Sequence, residues 1–144
     1  MKNFIKQLPF FAPIVLRLGL AGVFIWFGLS QIFDPNAWTS YIPDIAIHVT
    51  GISAFILVIG NGIFEVVMAI LLVFGIWVRP VAALLFLHMC GILATVGLDS
   101  IGVRDVAIAA GLLSVTLYGN DVISWHYKPP QPPELAQSVA GNKL

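Results

Sequence analysis

Four apolar stretches, each near the length of a bilayer-crossing helix and parted by short polar breaks, dominate this sequence of 144 residues. About 20 mostly apolar residues in a helix cover a hydrocarbon core. The first stretch, Pro13 to Phe33, begins with a proline suited to a first helical turn and stops at Asp34-Pro35-Asn36. The second is Ile52 to Trp77 and the third is Pro80 to Leu98, joined tightly through Gly75 and Trp77-Val78-Arg79. The fourth, Val103 to Gly119, is the shortest in its apolar core and spans only with Arg104 snorkelling outward. A chain that is 59% hydrophobic and 10% charged, with mean hydropathy +0.97, cannot cover itself with polar surface in water. Soluble domains are about a quarter charged.

The distribution of Lys and Arg decides the topology, because short cytoplasmic segments are enriched in them. Four spans put Lys2, Lys6, Arg79, Lys128 and Lys143 on one side and Arg104 on the other, whereas three spans divide them evenly. The expectation is an all-α, integral membrane four-helix bundle over residues 1–128, with N- and C-termini cytoplasmic. The Lys-flanked N-terminal run is interrupted by Arg17 and lacks a small-residue cleavage site, so it reads as a retained first span rather than a signal peptide. A Pro-rich tail, 129–144, is too rich in proline to continue a helix. The loop from Asp34 to Gly51 then lies outside. It lacks Lys and Arg but carries Trp38, Tyr41 and Pro43, a composition suited to an interfacial lid.

Charge and cysteine content exclude several functions. Seven Lys and Arg balance seven Asp and Glu without a basic cluster, so no nucleic-acid partner is expected. Cys90 is the one cysteine, so no disulfide or CxxC pair forms within the chain. Neither HExxH nor a His pair at ligand spacing occurs, His48 and His126 lie outside the spans, and one intraspan histidine cannot hold a haem on two; no metal site is expected. No phosphate-binding glycine loop is present. The absence of internal repeats and of paired broken helices makes a small-solute or proton transporter the weaker reading.

Glu65 stands out, since a carboxylate near the bilayer centre costs on the order of 3 kcal/mol even on lenient insertion scales. It falls at the middle of the second stretch, with Asn61 at i−4 on the same face. His88 falls near the middle of the third, where an antiparallel neighbour brings it to the depth of Glu65. A paired carboxyl and imidazole suit a site that handles protons or faces a quinone. The structural alternative is that Glu65 bonds to Asn61 or His88 only to fix the register of the bundle. Arg17, about one turn inside the first stretch, is expected to snorkel to the cytoplasmic headgroups; an ion pair with Glu65 must bridge a depth difference of roughly 10 Å. Arg104, Asp105 and Trp38 are expected at an outer mouth, with Arg104 reaching Asp34, Asp44 or Asp99 and Gln31 joining from the first helix. Gly19, Gly22, Gly28, Gly60 and Gly62 are read as sites of close helix packing.

Leu16-Arg17, Phe24, Gly28, Phe33-Asp34-Pro35, Trp38, Pro43, Phe64-Glu65, Gly75, Arg79 and Arg104-Asp105 together resemble the DoxX-like family of small bacterial and archaeal membrane proteins, over roughly residues 14–120. The family commonly has a Lys after the first-helix Gly where this chain has Gln31, which removes a charge from that position. The resemblance implies a four-helix membrane bundle in the inner (plasma) membrane. Its relatives include a subunit of a thiosulfate:quinone oxidoreductase, a membrane partner of secreted redox-defence enzymes, and more distant cargo receptors and chaperones. The function expected from it is an accessory subunit that anchors or serves a redox enzyme complex, with quinone as the candidate cofactor and no covalently bound group. Partners expected are the bilayer and other protein subunits or further copies of the chain; the rival reading is a non-catalytic scaffold or assembly protein.

Overall fold

The structure is a computed structural model that describes residues 2–97 and 100–125. The Pro-rich tail, His126 and Asp99 lie outside the described residues. Among the described residues five α-helices and one 3₁₀ helix follow in order: α1 Lys2–Phe33, a 3₁₀ helix Pro35–Tyr41, α2 Asp44–Thr50, α3 Ala54–Phe74, α4 Val78–Val96 and α5 Ser100–Tyr118. The long helices form two intimate pairs, α1 with α3 and α4 with α5, closed into a ring by looser α1–α5 and α3–α4 seams. Helices α3 and α5 therefore face each other across the diagonal.

Apolar residues at three- and four-residue spacing form the core. Leu20, Ala21 and Phe24 of α1 meet Ala69 and Leu72 of α3, Val81, Leu85 and Met89 of α4, and Ala109, Leu112 and Val115 of α5. Large apolar residues also cover the outside: Val15, Trp26, Ile56, Ile63, Leu87 and Leu117 are all exposed. An apolar exterior around an apolar core is what a lipid solvent requires. Three segments, Phe11–Phe33, Ala54–Phe74 and Val78–Thr95, are long and apolar enough to cross a membrane.

The helix ends correct the sequence reading. Helix α1 begins at Lys2, so Pro13 lies within the helix and not at its start. Its missing N–H cannot donate to Pro9 O, yet the helix runs through it. Helix α3 ends at Phe74 rather than Trp77, because Gly75 turns left-handed (φ 66°). Its N–H bonds to Leu72 O at 3.1 Å and that of Ile76 to Leu71 O at 2.9 Å, a Schellman closure. Helix α4 starts at Val78, two residues before Pro80, with Trp77 left-handed at its cap (φ 48°). Helix α5 starts at Ser100, three residues before Val103.

Of the five glycines read as packing sites, Gly28 and Gly62 make the contact. A Cβ on Gly28 would lie 2.6 Å from Gly62 O, and one on Gly62 would lie 2.6 Å from Gly28 O. Gly19, Gly22 and Gly60 would carry a Cβ into open space. The close α1–α3 crossing sits one helical turn from Gln31 and Glu65 and sets their approach.

Candidate functional site

Two buried polar clusters occupy opposite halves of the bundle. The first is centred on Glu65, buried on the inner face of α3. Gln31 Nε2 of α1 donates to Glu65 Oε2 at 3.1 Å, and Asn61 Nδ2 donates to Glu65 Oε1 at 3.0 Å and to Gln31 Oε1 at 2.8 Å. His88 Nε2 of α4 lies 3.3 Å from Glu65 Oε1, its ring held edge-on against Phe64 at 5.0 Å. Three helices thus converge on one carboxyl. Gln31 lies with Glu65 and not solely with the Arg104 group, and at the position where the resemblance suggested a lysine it supplies a neutral donor.

A cavity of about 420 Å³ opens beside this cluster. Helices α1, α3 and α4 bring Gln31, Asn61, Glu65 and His88 to it, α5, diagonal to α3, brings Arg104 and Asp105, and Trp38, Tyr41, Ile42 and Pro43 line it from the 3₁₀ helix and the turn that follows. Phe24, Val58, Leu87 and Ile92 supply apolar lining. The 3₁₀ helix is fixed over the cavity by Trp38, whose indole donates to Ser30 Oγ at 3.2 Å and whose ring meets Phe27 edge-on at 5.6 Å. Arg104 does not reach Asp34 or Asp44. It folds onto its neighbour Asp105, with Nη2–Oδ1 at 2.8 Å, and lies 5.0 Å from the Phe27 ring. A nearly buried carboxylate next in sequence and an aromatic face together outcompete loop acids that remain hydrated.

The second cluster corrects the reading of Arg17. Its side chain is 1% exposed, pairing at Nε with Asp121 Oδ2 at 2.7 Å, and its Nη1 donates to the carbonyls of Leu72 and Val73. Arg17 lies under about two turns inside the apolar segment that begins at Phe11, and its side chain turns inward onto Asp121 rather than out to the headgroups. At the C-terminal end of α3, where a cation is favoured, its guanidinium donates to Val73 O and gives Leu72 O, already bonded to Gly75 N, a second donor. Asp121 also accepts from Ser124 Oγ at 2.9 Å and Ile123 N at 3.2 Å, and Trp125 N donates to Gly75 O at 3.2 Å. The chain after α5 is thereby fastened to the α3–α4 turn. Burial raises the affinity of the Asp121 carboxyl for a proton, but the hydrogen bonds from Arg17 and Ser124 and the Arg17 charge outweigh it and hold its pKa below the ordinary carboxylate value.

Asp121 was not singled out in the sequence. The available signal was the pattern Asp121-Val-Ile-Ser124, a turn in which the carboxylate is preorganised by its own neighbours and which follows the last helix on the side of the bundle where Arg17 lies. Cys90 is exposed and unpaired on α4, and no group of three or more His, Cys, Asp or Glu gathers among the described residues.

An apolar exterior, three membrane-capable helices and a polar cluster facing an interior cavity define a small multi-pass helical membrane protein. Residues 12–98, more than half of the chain, match the DoxX family, and the protein belongs to it. No curated protein and no solved structure matches the chain.

Proposed function

We propose that this DoxX protein is an accessory subunit of the plasma (inner) membrane that serves a quinone-linked redox enzyme, with the quinone ring held between the Glu65–His88 wall and the lid. The observation that carries this reading is the cavity. At about 420 Å³ it falls within the roughly 300–1,000 Å³ of small-molecule sites, with mainly apolar walls and a few converging polar groups. A packing lock alone has no use for open space beside its carboxyl. Reduction of a quinone to its hydroquinone takes two electrons and two protons. The electrons come from a redox centre of the partner enzyme and both protons come in the end from water: His88, hydrogen-bonded to Glu65, delivers one to the quinone oxygen beside it and is reprotonated through the carboxyl, and the other oxygen takes the second proton directly from water.

Four bilayer crossings accompany this reading, α5 being the fourth, with both termini cytoplasmic and the lid outside. The 19 residues of α5, its packing against α4 and α1 and the Lys and Arg distribution support it. Ser40→Cys, in a chain with Cys90 replaced, is then labelled by an impermeant thiol reagent from the outer face.

One observation favours the scaffold alternative: Glu65 is fully partnered by Gln31, Asn61 and His88. Purification from native membranes with mass spectrometry of bound lipids and proteins separates the two. Quinone and a redox enzyme are expected with the wild type, and quinone is lost in Glu65→Gln. Recovery of neither from the wild type refutes the redox reading.

A further inference from the structure

We propose that Arg104 is the specificity-determining residue of the cavity: it contacts the second oxygen of a ring bearing two opposed oxygens, so that the site takes para-diones in preference to molecules with a single polar end. This rests on the cavity being the ligand site proposed above. Glu65 on α3 and Arg104 on α5 belong to the two helices that face each other diagonally, and both line the same cavity. Neighbouring helices 8–10 Å apart put diagonal axes about 11–14 Å apart, and long side chains enter that gap from both sides. Each side carries an N–H donor: the His88 imidazole on the α3–α4 side and the guanidinium on the α5 side. A ligand that satisfies both sides has an acceptor at each end and a flat apolar body between them.

Arg104 is prepared for this contact. Asp105, whose side chain is 7% exposed, engages Nε and Nη2, while the Arg104 side chain remains 51% exposed and lines the cavity. Phe27 flanks the guanidinium at 5.0 Å. Its orientation is therefore fixed before a ligand arrives, and its planar set of donors meets an in-plane oxygen as a lysine ammonium does not.

Trp38 supplies the readout, because among the four tryptophans it borders the cavity while Trp26, Trp77 and Trp125 are exposed. The full-length protein in detergent is titrated with 2-decyl-1,4-benzoquinone, read as quenching of Trp38, with 3-decylphenol and decanoic acid as competitors. The dione is expected to bind the wild type about tenfold tighter than the phenol, the loss of one charge-assisted hydrogen bond. Arg104→Gln removes that preference without weakening the phenol, and Arg104→Lys, the check should the first variant not fold, restores part of it. If the wild type binds neither ring, the ligand-site reading itself fails. If it binds the dione and Arg104→Gln binds it equally well, that reading stands and the role of Arg104 is wrong. Decanoate displacing the dione from the wild type but not from Arg104→Gln contradicts the inference in favour of a carboxylate lipid.

Discussion

The Arg17–Asp121 and Glu65–His88 clusters are both buried, both join helices distant in sequence, and differ in what surrounds them. Around Arg17 every nitrogen is committed: two to a carboxylate and one to the carbonyls ending α3. The adjoining cavity is the smaller, about 250 Å³, and the charge pair joins α1, the α3 terminus and the segment after α5. Around Glu65 the partners are neutral amides and one imidazole, and the cavity extends away from them under a lid. A fully compensated charge pair at a helix terminus acts as a fastener. A carboxyl held by groups that can release it, beside open space, is arranged for an exchange of partners.

The largest effect expected from this contrast is at Arg17. Arg17→Leu leaves the Asp121 carboxylate buried without its cation and takes a donor from the α3 carbonyls, and is expected to cost about 3–5 kcal/mol of stability, read as a large drop in thermal unfolding midpoint in detergent. Harmless replacement would remove the distinction between the clusters. Next is the α1–α3 crossing, where Gly62→Val drives a side chain onto Gly28 O and is expected to cost about 1–3 kcal/mol, also displacing Gln31 from Glu65.

Acid sharpens the comparison further. Asp121 holds its proton less tightly folded than unfolded, so the stability it contributes is complete above the ordinary carboxylate pKa of about 4 and is lost as pH falls through the lower folded value. Thermal unfolding between neutral pH and pH 3 is expected to show this loss in the wild type and a flatter profile in Asp121→Asn. The smallest stability effect is expected at Glu65→Gln, which keeps the shape and one of the two acceptor oxygens, so that one of the three donors loses its partner at about 1–2 kcal/mol.

Much of this architecture was legible in the apolar runs, because a helix in lipid must satisfy its backbone internally and so declares itself in composition. Helix ends were less so: Pro13 suggested a start that α1 passes through, and Gly75 ended α3 before Trp77. Glu65, Asn61 and His88 could be brought together from spacing and antiparallel neighbours alone, since each lies mid-helix, where depth is well defined. Arg17 could not, because its partner lies beyond the last helix in a turn whose position depends on the whole ring closing. Arg104 was expected to reach Asp34 or Asp44 among the described acids and pairs instead with Asp105, since the choice between Asp105 and the loop depends on burial that sequence does not carry.

The most direct test of the Glu65 cavity as the working part of the molecule is the quinone content of protein purified from native membranes, wild type against Glu65→Gln, with unfolding midpoints measured on the same samples. The expected result is bound quinone in the wild type, at least about tenfold less in the variant, as for loss of one charge-assisted contact, and midpoints within a few degrees of each other. Equal quinone in both proteins, or none in either, would contradict it.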